Sequence, residues 1–326
     1  MIAWIAGIAA AVILLMLAGL VLFTAWTARQ VEKKMPPRGH FIDIDGARLH
    51  YIDEGSGPTL LLVHGLAGQV HNFTHSLLGR LKRDFRVVIL DRPGSGYSLP
   101  PNEALAPLTA QARIISRFCE ALHLERPLVV GHSLGGAIAL ALALNHPERV
   151  GGLALIAPVT HQPEGVPPPF DGLAIKSPLL RRLIAWTLAT PSSIANRELA
   201  LTTLFGPQPV PSDFATKGGG LLNLRPAAFI GASSELMAAE EELAGMPARY
   251  NDLTIPIGIL YGTDDRILDP ALHAQGFVAK VPGADLELIE GGGHMILISS
   301  ADQAAAFIAR IARLAAAAEA PLAPAG

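Results

Sequence analysis

The sequence predicts an α/β protein: a doubly wound, mostly parallel β-sheet flanked by helices, interrupted by one helical insertion and preceded by an apolar helix. Three observations carry that reading. Six short, continuous runs of aliphatic residues recur between amphipathic stretches, as in strands buried on both faces of a parallel sheet and joined by crossover helices. Between residues 159 and 253 the rhythm stops. Residues Ile2 to Trp26 hold no charged side chain at all.

The apolar segment comes first. Its 25 residues, Ile2 to Trp26, would rise ~1.5 Å each as a helix, more than the roughly 30 Å of a bilayer's hydrocarbon core. Trp4 and Trp26 bracket it, which would set an aromatic ring near each interface. A cleaved signal peptide would show a basic start and a small-x-small cleavage site, and neither stands out here. Residues 1–28 therefore read as a retained, single-pass transmembrane anchor. Arg29, Lys33, Lys34 and Arg38 follow, opposed only by Glu32, in a linker, 29–40, stiffened by Pro36 and Pro37. The charge bias places the following domain on the cytoplasmic side of a bacterial-type inner membrane.

The first part of the core spans 41–158. Phe41–Asp45 and Arg48–Asp53 alternate apolar and polar residues around Gly46, the signature of a hairpin. The runs Leu60–Val63, Val87–Leu90, Leu128–Val130 and Leu153–Ile156 follow, and Ile257–Leu260 and Leu286–Ile289 belong to the second part, 254–318, making eight strands in all. Helices are expected at Asn72–Leu81, Leu108–Leu122, Leu134–Asn145, Pro270–Val281 and Ala301–Ala318. The interval 159–253 reads as a helical cap with helices at Leu179–Thr190 and Ser193–Leu204 and a flexible turn at Gly218–Gly220. Residues 319–326, rich in Ala and Pro, read as a disordered tail.

Composition excludes some function classes. Of 326 residues 50% are hydrophobic and 16% charged, with a net charge of −3. No basic stripe suggests nucleic acid as a partner. The single cysteine, Cys119, can form no internal disulfide and reads as a packing residue.

The chemistry concentrates in Gly131-His132-Ser133-Leu134-Gly135, set between a buried strand and an apolar helix. A serine on so tight a strand-to-helix turn needs small neighbours for the chain to bend without clashing. The turn lifts the hydroxyl clear of the sheet, and the helix behind it turns its positive end toward the site. The N–H of Leu134 would then face a developing oxyanion. A hydroxyl needs a base and a carboxylate to orient that base. His294, in the loop Gly291-Gly292-Gly293-His294 after the last strand, is the base; His146 reads as a helix-end residue, and His161 and His273 as surface or cap residues. The acid lies among Asp264, Asp265 and Asp269 after the penultimate strand. Asp269 before Pro270 is explained as a helix N-cap, and Asp265 is preferred to Asp264.

These motifs, in this order, resemble the α/β-hydrolase superfamily in its esterase, lipase and peroxidase-like branch, over about Phe41 to Ala318. The resemblance implies an α/β-hydrolase fold with a Ser133–His294–Asp265 triad, and Gly262-Thr263-Asp264-Asp265 resembles the family's Gly-x-x-Asp. His64-Gly65-Leu66-Ala67-Gly68 is similar to the family's oxyanion loop, which implies the Leu66 N–H as second donor beside Leu134, with His64 structural. Asp91-Arg92-Pro93-Gly94-Ser95-Gly96-Tyr97-Ser98 resembles a loop that shapes the site.

A serine at position 133 argues against dehalogenase and epoxide-hydrolase chemistry, which use an aspartate there. His71 and His75 lack a third ligand for zinc, so neither metal nor organic cofactor is expected. The apolar cap and the anchor point to hydrolysis of a hydrophobic, lipid-like carboxylic ester. Cofactor-free peroxidase or perhydrolase, thioesterase, lactonase and amidase chemistries fit the same residues, and a catalytically inactive, membrane-tethered binding protein is the reading from a different class.

Overall fold

The computed structural model describes residues 1–101 and 106–319. Its centre is an eight-stranded sheet: β1 (His40–Ile44), β2 (Ala47–Glu54), β3 (Thr59–Val63), β4 (Arg86–Leu90), β5 (Leu128–His132), β6 (Gly152–Ile156), β7 (Ile257–Gly262) and β8 (Asp285–Ile289), in the order β1-β2-β4-β3-β5-β6-β7-β8. The first hairpin and the β2–β4 pair are antiparallel, and the remaining pairs are parallel. All eight expected strands are present. Their central members are buried on both faces, which is why they carry no alternation: Leu60, Leu61, Leu62 and Val63 are wholly inaccessible.

The strand order reverses at β3. The chain steps outward from β3 to β4, then returns to the other side as β5. Such a reversal opens a crevice at the carboxyl ends of the two strands. It brings the loop after β3, which begins at His64, next to the turn after β5, which holds Ser133.

The helix after β5, Leu134–Asn145, is buried from Leu134 through Ala143. It has no polar face because it packs between the sheet and the helix Leu108–Ala121, whose own outer side is polar. The terminal helix, Ala301–Glu319, covers the opposite face of the sheet. The expected helix at Asn72–Leu81 is two short ones, His71–Thr74 and Leu78–Leu81. That at Pro270–Val281 begins as a π-turn, Ala271–Gln275.

Between β6 and β7 the insertion is helical, as expected, with helices Pro178–Trp186, Ala189–Ala195, Arg197–Phe205 and Pro226–Leu243. Gly218–Gly220 is pinned rather than flexible: the Gly218 carbonyl accepts from Gln69 Nε2 and Asn72 Nδ2.

The N-terminal helix runs unbroken from Ile2 to Lys34, long and apolar enough to cross a bilayer. Residues 29–34, expected as linker, are its last turns. Ala28 through Lys34 are good helix formers apart from Val31, so charge alone does not end the helix; it stops just before Pro36 and Pro37. Thr24, Thr27 and Val31 are buried against the cap, Met35 joins a cluster with Leu222, and Tyr97 donates its hydroxyl to the Met35 carbonyl. The expected tail falls, from residue 320 on, outside the described residues.

Candidate active site

Ser133 is the junction between β5 and its helix, and its backbone is left-handed, with φ 53° and ψ −122°. That conformation costs a non-glycine residue about 1–3 kcal/mol and persists only where the surroundings enforce it. Here its N–H donates to Ile156 O (3.1 Å), and its carbonyl accepts from Gly136 N (2.8 Å) and Val159 N (3.0 Å). The glycines around it are required by contact. A Cβ on Gly131 would stand 2.6 Å from the Gly135 carbonyl oxygen, and one on Gly135 would strike the carbonyl oxygens of Val63 and His64.

The loop after β3 approaches equally closely: a Cβ on Gly65 would lie 2.8 Å from that of Ser133. Leu66, Ser133 and Leu134 all line one cavity of about 150 Å³, together with Val159, Phe170, Leu236, Met237 and Leu243 from the insertion and Ile267 and Leu268 after β7. Its walls are predominantly apolar. The charged residues lining it are Glu164 and Glu240; none of the described lining residues is basic.

The glycine loop after β8 carries His294, which is buried. Its Nδ1 bonds Asp265 Oδ2 at 2.8 Å, and both side chains are almost wholly inaccessible. Asp265 Oδ1 accepts from the N–H groups of Ile267 (2.8 Å) and Leu268 (3.0 Å). Burial alone would push this carboxyl up. The charge and hydrogen bond of His294 and the two N–H donors outweigh it and hold Asp265 below the usual carboxylate range. Asp264 is exposed and bonds only its neighbour Thr263 through its side chain. Asp269 accepts from Ala271 N at 2.9 Å, the N-cap expected of it. His132, the residue before Ser133, packs its ring on that of His294, centroids 5.1 Å apart, with its Nε2 3.2 Å from the His294 carbonyl. Burial drives His132 down to about 3, so it is neutral.

His64 is neutral for the same reason, also near 3, and is a brace. Its Nδ1 lies 2.9 Å from Gly65 O, and its Nε2 accepts the Arg92 N–H at 3.1 Å. Arg92, fully buried, donates Nε to His64 O and Nη2 to Gly65 O, both at 2.9 Å, and so fixes the loop that carries Leu66. It is locked in turn by Glu235 of the helix Pro226–Leu243, at 2.7 and 3.0 Å, and by Gln111 at 2.6 Å.

Sequence reasoning missed Glu235 and also Gln208. Gln208 accepts from Gly293 N (2.9 Å) and donates to Gly291 O (2.6 Å), holding the loop that delivers His294. A signal for Glu235 existed. Ala232, Glu235, Ala239 and Leu243 follow helical spacing on one buried stripe, where an acid demands a partner.

His273 is no surface residue: it is buried, with Nδ1 accepting from Thr160 N at 3.2 Å. His71 and His75 are bonded to Gln69 and Asp213, and no group able to hold a metal exists among the described residues. Cys119 is buried and unpaired, as its packing role requires.

A strand–serine–helix turn at the reversal point of a parallel sheet, joined through His132 to a buried Asp–His pair, makes a candidate site. Residues 58–301 match the family model described as alpha/beta hydrolase fold, and the chain belongs to that family. Over 274 residues it is 31% identical to the "dihydrolipoyllysine-residue acetyltransferase component of acetoin cleaving system" of Cupriavidus necator, covering 80% of this chain and 66% of that one, just under two thirds of its length. A "2-hydroxy-6-oxononadienedioate/2-hydroxy-6-oxononatrienedioate hydrolase" of Cupriavidus pinatubonensis is 26% identical, covering 76% of this chain and 84% of that one. Among solved structures, a "membrane phospholipase A, a novel bacterial virulence factor" superposes with a TM-score of 0.65 at 25% identity, covering 95% of this chain and 97% of that one. The protein is a hydrolase of this fold.

Proposed function

We propose that this protein is a membrane-anchored serine hydrolase of hydrophobic carboxylic esters. The observations that support the reading are a strained, buried Ser133 lining an apolar cavity, and a hydrogen-bonded Asp265–His294 pair whose imidazole packs on the ring of His132, the residue before Ser133. Ser133 Oγ attacks the ester carbonyl while His294 takes its proton. Asp265 fixes the imidazole so that Nδ1 carries hydrogen and Nε2 is the basic nitrogen, and stabilises the imidazolium that forms. The N–H groups of Leu66 and Leu134 receive the oxyanion. His294 then protonates the departing alcohol, and water, activated by the same base, frees the acid from the acyl-enzyme. No step calls for a metal or organic cofactor.

The cavity also argues for the substrate class. Its apolar walls suit an acyl chain, and two glutamates without a basic partner disfavour a dicarboxylate of the kind the Cupriavidus pinatubonensis hydrolase is named for. Ile2–Trp26 is the membrane anchor in this reading, with the catalytic domain on the cytoplasmic side, where Arg29, Lys33, Lys34 and Arg38 lie.

Fluorophosphonate labelling of the full chain tests the chemistry. The reading requires covalent modification at Ser133, abolished by Ser133→Ala with the fold retained. A folded wild-type chain that fails to label would overturn it. With p-nitrophenyl esters, activity should rise from acetate to longer acyl chains.

A further inference from the structure

The helix Pro178–Trp186 is inside out. Its buried positions are Arg181 and Ala185, and Arg181, 4% exposed, is satisfied by the hydroxyls of Ser233 and Ser234 and the Ile175 carbonyl. Its outward side carries the large apolar residues. Leu179 is 79% exposed, Leu183 53% and Trp186 43%, at i, i+4 and i+7 on one face, with exposed Leu180 on the same helix and exposed Leu188 two residues past its end. An arginine turned inward and leucines turned outward is the reverse of what water selects, and contiguous exposed apolar surface marks an interaction face.

The neighbouring element identifies what covers it. This helix and the next, Ala189–Ala195, pack against the N-terminal helix. Along that N-terminal helix, side chains from Ile2 to Phe23 are exposed except for a half-covered Leu20, and burial against the cap begins at Thr24. Those 22 residues amount to ~33 Å of helix, the thickness of a bilayer core. The cap therefore meets the helix where the hydrocarbon ends, and its leucines stand at the level of the membrane boundary. Lys176, two residues before Pro178–Trp186, and Arg182, within it, are exposed. An apolar face edged by basic residues is the composition of a helix lying in the interface plane.

We propose that the outer face of Pro178–Trp186, with Leu188, docks on the bilayer surface beside the anchor, so that the enzyme draws its ester from the lipid phase. This rests on the reading of Ile2–Trp26 as a membrane span.

Trp4, Trp26 and Trp186 are the chain's three tryptophans, which permits a direct test on the full chain in phosphatidylcholine nanodiscs. In the Trp4→Phe/Trp26→Phe variant, Trp186 emission should shift to the blue and fall by at least half when the lipid carries bromines near the headgroup, and fall less when the bromines lie deep. Emission indifferent to bromine overturns docking. Emission that responds instead to protein density in the disc, unquenched by bromine, assigns the face to a second copy and also overturns it. A Trp186→Phe companion reports on the span. If Trp4 and Trp26 are quenched while Trp186 is not, the anchor stands and the docking fails; if none is quenched, the span itself is wrong. In Leu179→Ser/Leu183→Ser, hydrolysis of a water-soluble short-chain ester should stay within twofold, while that of a vesicle-borne ester falls about tenfold. Equal losses on both substrates would show that these leucines serve only the fold.

Discussion

Replacing Glu235 by glutamine should damage this protein more than replacing its partner, Arg92, by methionine. Glu235 and Arg92 are both buried and joined by two hydrogen bonds, at 2.7 and 3.0 Å. Removing one member of such a pair leaves the other charged and buried, at a cost of about 3–5 kcal/mol. The two survivors differ, however. Arginine cannot shed its proton in a protein, so in Glu235→Gln the Arg92 charge remains, facing the neutral oxygens of Gln111, His64 and Gly65. Glutamate can take up a proton. Burial already pushes the Glu235 carboxyl up despite the pull of Arg92. In Arg92→Met it takes up a proton and can donate to the Gln111 oxygen, while the Gly65 carbonyl keeps the Gly68 N–H. The loss therefore falls to about 1–3 kcal/mol, the cost of the unmet His64 carbonyl. At roughly 2–4 °C per kcal/mol, Glu235→Gln should melt about 6–20 °C below wild type by calorimetry in detergent. Arg92→Met should lie between the two at pH 6 and drop toward Glu235→Gln at higher pH. A Glu235→Gln melting point within about 2 °C of wild type, or an Arg92→Met value below it, would refute the argument.

Other expectations follow from the same geometry. Asp265→Asn should lower kcat by roughly 10⁴ by releasing the imidazole tautomer, whereas Asp264→Asn should leave ester hydrolysis within twofold; equal losses would move the acid to the wrong residue. Gly135→Ala puts a methyl group into the carbonyls of Val63 and His64, and it should yield no soluble, folded enzyme; a normal melting curve would contradict the packing. His50 holds Asp91 through Nδ1 (2.7 Å) and the Arg38 carbonyl through Nε2 (2.6 Å). Burial would lower it from 6.5, but the bond to Asp91, its charge and the Arg38 carbonyl together raise it. A raised histidine stabilises fully below its unfolded value and loses that contribution as pH climbs through the folded one. Wild type should therefore outmelt His50→Gln by most near pH 6, with the gap shrinking into the alkaline range; a gap independent of pH would show that no proton is involved.

The fold was legible because burial on both faces writes itself as aliphatic runs, which six strands left, while the half-exposed first hairpin left alternation. Ser133, Asp265 and His294 stand out as candidates because each sits in a loop whose glycines or turn residues mark it locally. Glu235 and Gln208 do not. Each acts across more than 80 positions of sequence, from an insertion whose local pattern says only helix. The burial of His273 is not legible in sequence, because a histidine near a helix start looks the same whether water or Thr160 lies above it. Charge alone puts a boundary at residue 29, but the residues that follow favour a helix regardless of charge, and it runs on to Lys34.

On the proposal that Ile2–Trp26 spans a membrane, that unbroken helix changes what kind of attachment the protein would have. Twelve residues of flexible coil, 29–40, would span about 17–21 Å on average, at ~5–6 Å × √n, and leave the domain swinging on a leash. A helix seated against the cap and tied to Tyr97 at Met35 is a mast instead. So anchored, the domain would keep one tilt and one height, every molecule would present the same flank to its surroundings, and bending, rather than rotation about a joint, would be what remains available to it.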